Sequence, residues 1–222
     1  MAVIEGGTSA ALQEVGVPSA GTFGTNLGAH MTIKGIPYGS LGHYRVTVRV
    51  ASTAAQAANS RLFELRNTGT NHVVLTRLTL RALQTAAGTA QENSIDCYRC
   101  TAFTAVDTVN TTTPTISSSR TGMGAAPGNV AVRFLSGAAA GMTGGTLTKD
   151  GSAFAILPYN VAAAINTTTT WGPLDCVDDI HGTHPFVFPQ SEGFIVENRV
   201  LNVTSYGMTW FIDLTYAEVT AY

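Results

Sequence analysis

The chain has 222 residues and a formal net charge of −2, a length that suits one large all-β domain or a domain with long insertions. Charged residues are 12% of the chain, about half of the ~25% usual in a soluble domain, and Gly, Ala, Ser and Thr take their place. That balance gives no global field for nucleic acid or an anionic membrane, and a surface so poor in charge points to extensive contact with other protein.

Residues 1–43 are rich in small residues, with scattered large apolar ones, among them Val3, Ile4, Phe23, Ile33, Ile36 and Tyr38. Their spacing follows neither the helix nor the strand period, and Gly6, Gly7, Pro18, Gly21, Gly24, Gly28, Gly35 and Pro37 interrupt any element. The segment is too apolar for a free linker and too broken for a domain. It is expected to be an extended arm whose apolar residues, those six above all, bind a partner subunit.

Residues 44–50, YRVTVRV, set Tyr44, Val46, Val48 and Val50 against Arg45, Thr47 and Arg49, which predicts a half-buried strand. Residues 51–59 could form a helical turn or a loop. Residues 61–83 read as a hairpin, with NTGTN at 67–71 as its turn. In its second strand Val74, Leu78, Leu80 and Ala82 share one parity, with Arg77, Thr79 and Arg81 on the other. Residues 84–93 read as a loop and 94–103 as a strand, with Ile95 and Cys97 facing away from Asp96, Tyr98 and Cys100.

Residues 104–152 are low in complexity, and only 129–135 looks like a strand there. The stretch is expected to be a functional excursion, a flexible loop, or a small-residue surface ordered at an interface. A strand at 153–157, a loop or short helix at 158–164 and a Thr run at 167–170 follow. Residues 189–193 turn into a last hairpin, 194–203 and 208–219, where Met208, Trp210, Ile212, Leu214 and Tyr216 alternate with Thr209, Phe211, Asp213, Thr215 and Ala217.

A lone hairpin is marginal in water, so the two distant hairpins are expected to share a core of Val46, Val48, Val74, Leu78, Leu80, Phe194, Val196, Trp210, Ile212 and Leu214. Around eight strands without a long helix predict an all-β sandwich, jelly-roll-like rather than immunoglobulin-like, over residues 44–222. The arm at 1–43 precedes it, and the long loop-rich insertion lies within it at about 104–152.

The chain starts MAVIEGG, with neither a basic nor an apolar leader region, and no run approaches the ~20 apolar residues of a membrane span. Three Asn-X-Thr matches, at Asn110, Asn166 and Asn202, read as chance in a Thr-rich chain. Three cysteines make no disulfide framework and fit a reducing compartment. There is no nucleophile elbow, phosphate loop or dinucleotide fingerprint, and no H-E-x-x-H. The acids Asp175, Asp178 and Asp179 read as a solvated loop.

The set Cys97, Cys100, Cys176, His181 and His184 has zinc-ligand chemistry. Cys97 and Cys100 fall three apart on a strand, however, and so point to opposite faces; the expectation is no metal and no other cofactor. No catalytic residue, nucleic-acid, membrane or small-molecule partner is expected either. Most of the arginines, Arg45, Arg49, Arg61, Arg66, Arg77, Arg81 and Arg99, lie in the first β-rich part, and arginine suits protein interfaces because its planar fork pairs with carboxylates and carbonyls.

The stretches YRVTVRV, SRLFELRNTGTNHVVLTRLTLRAL and FPQSEGFIVENRVLNVTSYGMTWFIDLTYAEV resemble β-sandwich structural proteins of tailed bacteriophages. The residues that carry the likeness are Phe63, Glu64, Leu65, Arg66 and Asn67, then Pro189, Glu192, Gly193, Phe194, Asn198, Trp210, Tyr216 and Glu218. It covers about half of the chain and leaves out 1–43 and 104–152. The resemblance implies a non-enzymatic virion protein, most often a capsid decoration (cement) protein, forming a homo-oligomer on the major capsid protein or on copies of itself. It equally admits a tail- or fibre-associated jelly roll that binds host-surface carbohydrate through aromatics such as Tyr159, Trp171, Phe186 and Phe188.

Overall fold

The computed structural model describes residues 41–52, 55–119, 129–136, 140–163, 168–175, 185–200 and 207–220. The described residues form strands and loops without a helix: β1 (Gly42–Ser52), β2 (Ser60–Asn67), β3 (His72–Gln84), β4 (Gln91–Ala105), β5 (Thr111–Thr112), β6 (Ser117–Ser118), β7 (Val130–Leu135), β8 (Thr146–Lys149), β9 (Ala155–Val161), β10 (Thr168–Asp175), β11 (Phe186–Phe188), β12 (Gly193–Asn198) and β13 (Met208–Val219). They make two antiparallel sheets. One has the order β10-β3-β13-β1-β6, with β11 also on β3; the other has the order β5-β7-β2-β12-β4-β8, with β9 also on β4.

The protein is an all-β sandwich. Its long strands pair in a nested way, the outermost in sequence together and the innermost together: β1 with β13, β2 with β12, β3 with β10, β4 with β9. A long hairpin rolled up on itself gives this pattern. Each apolar parity then faces the opposite sheet, and Val46, Val48, Leu78, Leu80, Phe194, Val196, Trp210, Ile212 and Leu214 all lie in one core.

The two expected hairpins do not form. β2 and β3 lie in different sheets, and so do β12 and β13. Each polar turn carries the chain across the sandwich instead of folding it back. A buried asparagine starts each crossing. Asn67 donates from Nδ2 to the carbonyls of Asn71 (2.6 Å) and Phe188 (2.9 Å), and its Oδ1 accepts from the Gly69 amide (2.9 Å). Asn198 donates to the Ala57 and Val200 carbonyls and accepts from the Tyr159 hydroxyl at 2.8 Å. The shared core nevertheless forms, because the strands of one pair meet those of the other: β2 on β12, and β3 on β13.

Val74 departs from its expected place. Thr76 has no partner where the β3–β13 register shifts between Thr215 and Tyr216, and this bulge reverses parity along β3. Val73 and Leu75 therefore join Leu78 and Leu80 in the core, while Val74 is buried outside it. Another register shift, opposite Leu62, lets Leu62 point inward together with Phe63 and Leu65. Gly193 sits where β12 runs closest to β2; a Cβ there would stand 1.9 Å from the Leu65 carbonyl oxygen.

Residues 104–152 contain more strand than the one expected. β7 pairs with β2, β8 with β4, and the short β5 and β6 add to the sheets at β7 and β1. The strand expected at 153–157 instead runs from Ala155 to Val161, with alternating burial. Pro158 is tolerated because β9 reaches no strand other than β4 among the described pairings.

Candidate interaction face

The alternation in β1 and β3 leaves a polar set on the outside of the β3–β13–β1 sheet. Register aligns it in three levels across the strands: Arg45, Thr215 and Arg77; then Thr47, Asp213 and Thr79; then Arg49, Phe211 and Arg81. Two strand spacings separate the arginine rows by about 10 Å, and the four-residue step within a row is about 13 Å. Arg45, Thr47, Arg49, Arg77 and Arg81 are exposed, and the β13 residues between them are half-buried.

Arg81 bonds the Asp213 carboxylate at 2.6 Å and lies over the Phe211 ring at 5.4 Å. Arg45, Arg49 and Arg77 make no ion pair among the described residues. A shallow groove of about 240 Å³ runs along β13, with Thr215 and Asp213 in its floor and Arg45, Thr47, Arg77 and Thr79 as its walls.

The outside of the second sheet is partly covered. Phe103, Tyr98, Cys100 and Ile195 form a second apolar cluster there, with Val106 and Leu147 packed on it. Beside it, Arg61 bonds Glu64 at 2.5 Å and the Gly144 carbonyl; Glu64 accepts the Asp107 amide at 3.0 Å, and Asp107 accepts the Gly144 amide at 2.6 Å. Burial pushes the Glu64 carboxyl up, opposed by that amide and by the Arg61 charge. Lys149 pairs with Glu197 and lies 4.3 Å from the Tyr98 ring centre.

The carboxylates Glu64, Asp96, Asp107, Glu197 and Glu218 are thus buried, while the first sheet turns its arginines to solvent. Among the residues whose side chains are described, this sheet therefore presents a basic face, with Asp213 as the carboxylate within it.

Several expected site residues fall elsewhere. Val3, Ile4, Phe23, Ile33, Ile36 and Tyr38 lie outside the described residues, as do Cys176, Asp178, Asp179, His181 and His184. Cys97 packs in the main core and Cys100 in the cluster behind the sheet, so the two face opposite ways. Burial pushes the Cys100 thiol up to about 12, which makes it a poor thiolate ligand. No group of three metal-binding side chains occurs among the described residues.

Of the aromatics considered for sugar binding, Tyr159 and Phe188 are buried in the core, and the Trp171 side chain lies outside the described ones. Phe186 meets Phe154 at 4.3 Å, with the rings tilted by 37°, beside a cleft of about 320 Å³ that Arg99, Asp150 and Ser152 also line. Sequence reasoning recognised the arginine strands but missed the grouping of their rows about Asp213 and Phe211. The outward parity of β13 was the signal available for it.

No family model matches the chain, and no curated protein matches it.

Proposed function

We propose that the chain is a structural virion protein of a tailed bacteriophage, a capsid decoration or cement protein that binds and stabilises the shell. The observation that carries this reading is the exposed arginine face on a rigid sandwich. Guanidinium forks on a firm sheet lose little freedom on docking and suit a protein surface rich in carboxylates and carbonyls.

The resemblance supports the same reading. Its residues, apart from Pro189 and Glu192 in the turn before β12, stand at strand positions in both sheets, and the nested pairing suits a jelly roll. The partners are the major capsid protein and other copies of this chain, as a homo-oligomer; the protein is not an enzyme. It works in the virion, after assembly in the host cytoplasm. Mass spectrometry of purified particles, followed by cryo-electron microscopy, tests this. A repeating density on the shell that fits the sandwich is the expected result, and particles lacking the protein would refute the reading.

The cleft beside Phe154 and Phe186 favours a second reading, a tail- or fibre-associated protein that stacks a sugar ring on Phe186 and bonds its hydroxyls through Arg99, Asp150 and Ser152. Density at the tail, together with glycan binding lost in Phe186→Ala, would select it.

A further inference from the structure

We infer that the groove along β13 takes an extended acidic segment of the partner protein, with a defined spacing of charge. This rests on the reading of the arginine face as an interface. The three levels across the face differ in chemistry. The first sets Arg45 and Arg77 either side of Thr215, the second sets Asp213 between Thr47 and Thr79, and the third offers Arg49 beside Phe211. Successive levels are two residues apart along the strands, and same-face side chains of an extended polypeptide recur at that same interval, about 6.6–6.8 Å.

A segment laid along β13 would then place an acidic residue over the first level, a donor such as Lys or Thr over Asp213, and a second acidic residue toward Arg49. The sequence that fits is acidic-x-donor-x-acidic. The first acid gains most, since its carboxylate can take charge-assisted bonds from guanidinium groups on both walls.

A nucleic acid fits the same face poorly. Arg81 is already taken up by Asp213 and Phe211, and no lysine sits among these residues. Asp175 stands opposite Arg77 in the β10–β3 register.

The test uses the full chain and two peptides of identical composition, Thr-Glu-Thr-Lys-Thr-Glu-Thr and Thr-Glu-Glu-Lys-Thr-Thr-Thr, followed by calorimetry and amide chemical shifts. The first peptide should bind at least five-fold tighter and shift amides of β1, β3 and β13. Arg45→Glu/Arg77→Glu should lose that binding, while Arg199→Glu, an exposed arginine away from this face, should keep it. The double variant should retain the parent melting temperature, and Arg199→Glu, which loses a 3.5 Å ion pair with Asp96, should remain folded.

Equal affinity for the two peptides, no binding of either, or tighter binding of a single-stranded oligonucleotide would overturn the inference. Particle loading separates the two levels of the argument. If Arg45→Glu/Arg77→Glu loads onto particles like the parent protein, this inference fails while the virion reading stands. If the parent protein never loads, the virion reading fails whatever the peptides do.

Discussion

Trp210 shows how much the core asks of one side chain. It is 2% exposed and meets Tyr159 edge-on at 4.9 Å. Trp210→Ala should cost about 3–5 kcal/mol in urea unfolding, the usual range for deleting a buried Trp. A loss under about 1 kcal/mol would contradict the packing described. Glu218 tests the opposite case, a charge held where it is disfavoured. Its Oε2 is buried without a partner, and Oε1 accepts a long bond of 3.4 Å from Asn129. Burial raises its pKa above the ordinary carboxylate value. A carboxyl raised on folding favours the native state when protonated, so its contribution is full below the unfolded pKa and is lost as pH rises through the folded one. Glu218→Gln should therefore be more stable than the parent at pH 7 and nearly equal to it at pH 4. Denaturant titrations at the two pH values check this, and a variant less stable at pH 7 would contradict it.

The elements show what the sequence could convey and what it could not. Strand identity was legible wherever one face was buried, because alternation is a local signal: β1 alternates along its length, and β13 does so from Trp210 to Tyr216. The partner of each strand was less legible. Turns such as 67–71 serve equally to fold a strand back or to send it across a sandwich, and what selects the crossing is a distant carbonyl, that of Phe188 bonded by Asn67. The bulge at Thr76 was hidden for a similar reason. It is defined by register against β13, where the Thr76 hydroxyl meets Thr215 at 2.8 Å. The arginine face was half legible: its residues were evident, but its levels depend on which strand lies between β1 and β3. The crossing itself can be tested. Asn67→Ala leaves the Phe188 carbonyl without its side-chain donor in a buried corner and should cost about 1–3 kcal/mol. Asn71→Ala keeps the backbone acceptor and should cost under about 0.5 kcal/mol. Equal losses in the two variants would show that the Asn67 side chain does not hold the corner.

At the scale of the whole molecule, the described strands pair among themselves into two sheets. β1 begins at Gly42 and runs against β13 over its full length, from Gly42 opposite Glu218 to Ser52 opposite Met208. A protein lacking residues 1–40 should therefore fold, with a melting temperature within a few degrees of the parent. The apolar residues of the deleted arm, Val3, Ile4, Phe23, Ile33, Ile36 and Tyr38, would each gain ~1.5–3 kcal/mol if buried on a neighbour. Loading onto particles should then fall sharply, and with it protection of the particles against heat. Unfolding of the truncated protein would mean that the arm belongs to the sandwich core. Normal loading would leave docking to the arginine face.

The nested pairing also sets a timetable for synthesis. The first strand of the sandwich waits for the last, because Gly42 finds its partner only when Glu218 has been made. At roughly 5–20 residues per second a ribosome needs roughly 9–35 s to cover that interval, and through it the apolar face of β1 lacks the strand that pairs along its whole length. The exposed arginines of β1, Arg45 and Arg49, then have a second use. They keep the waiting strand charged along one side, which discourages pairing with the same strand of a neighbouring nascent chain.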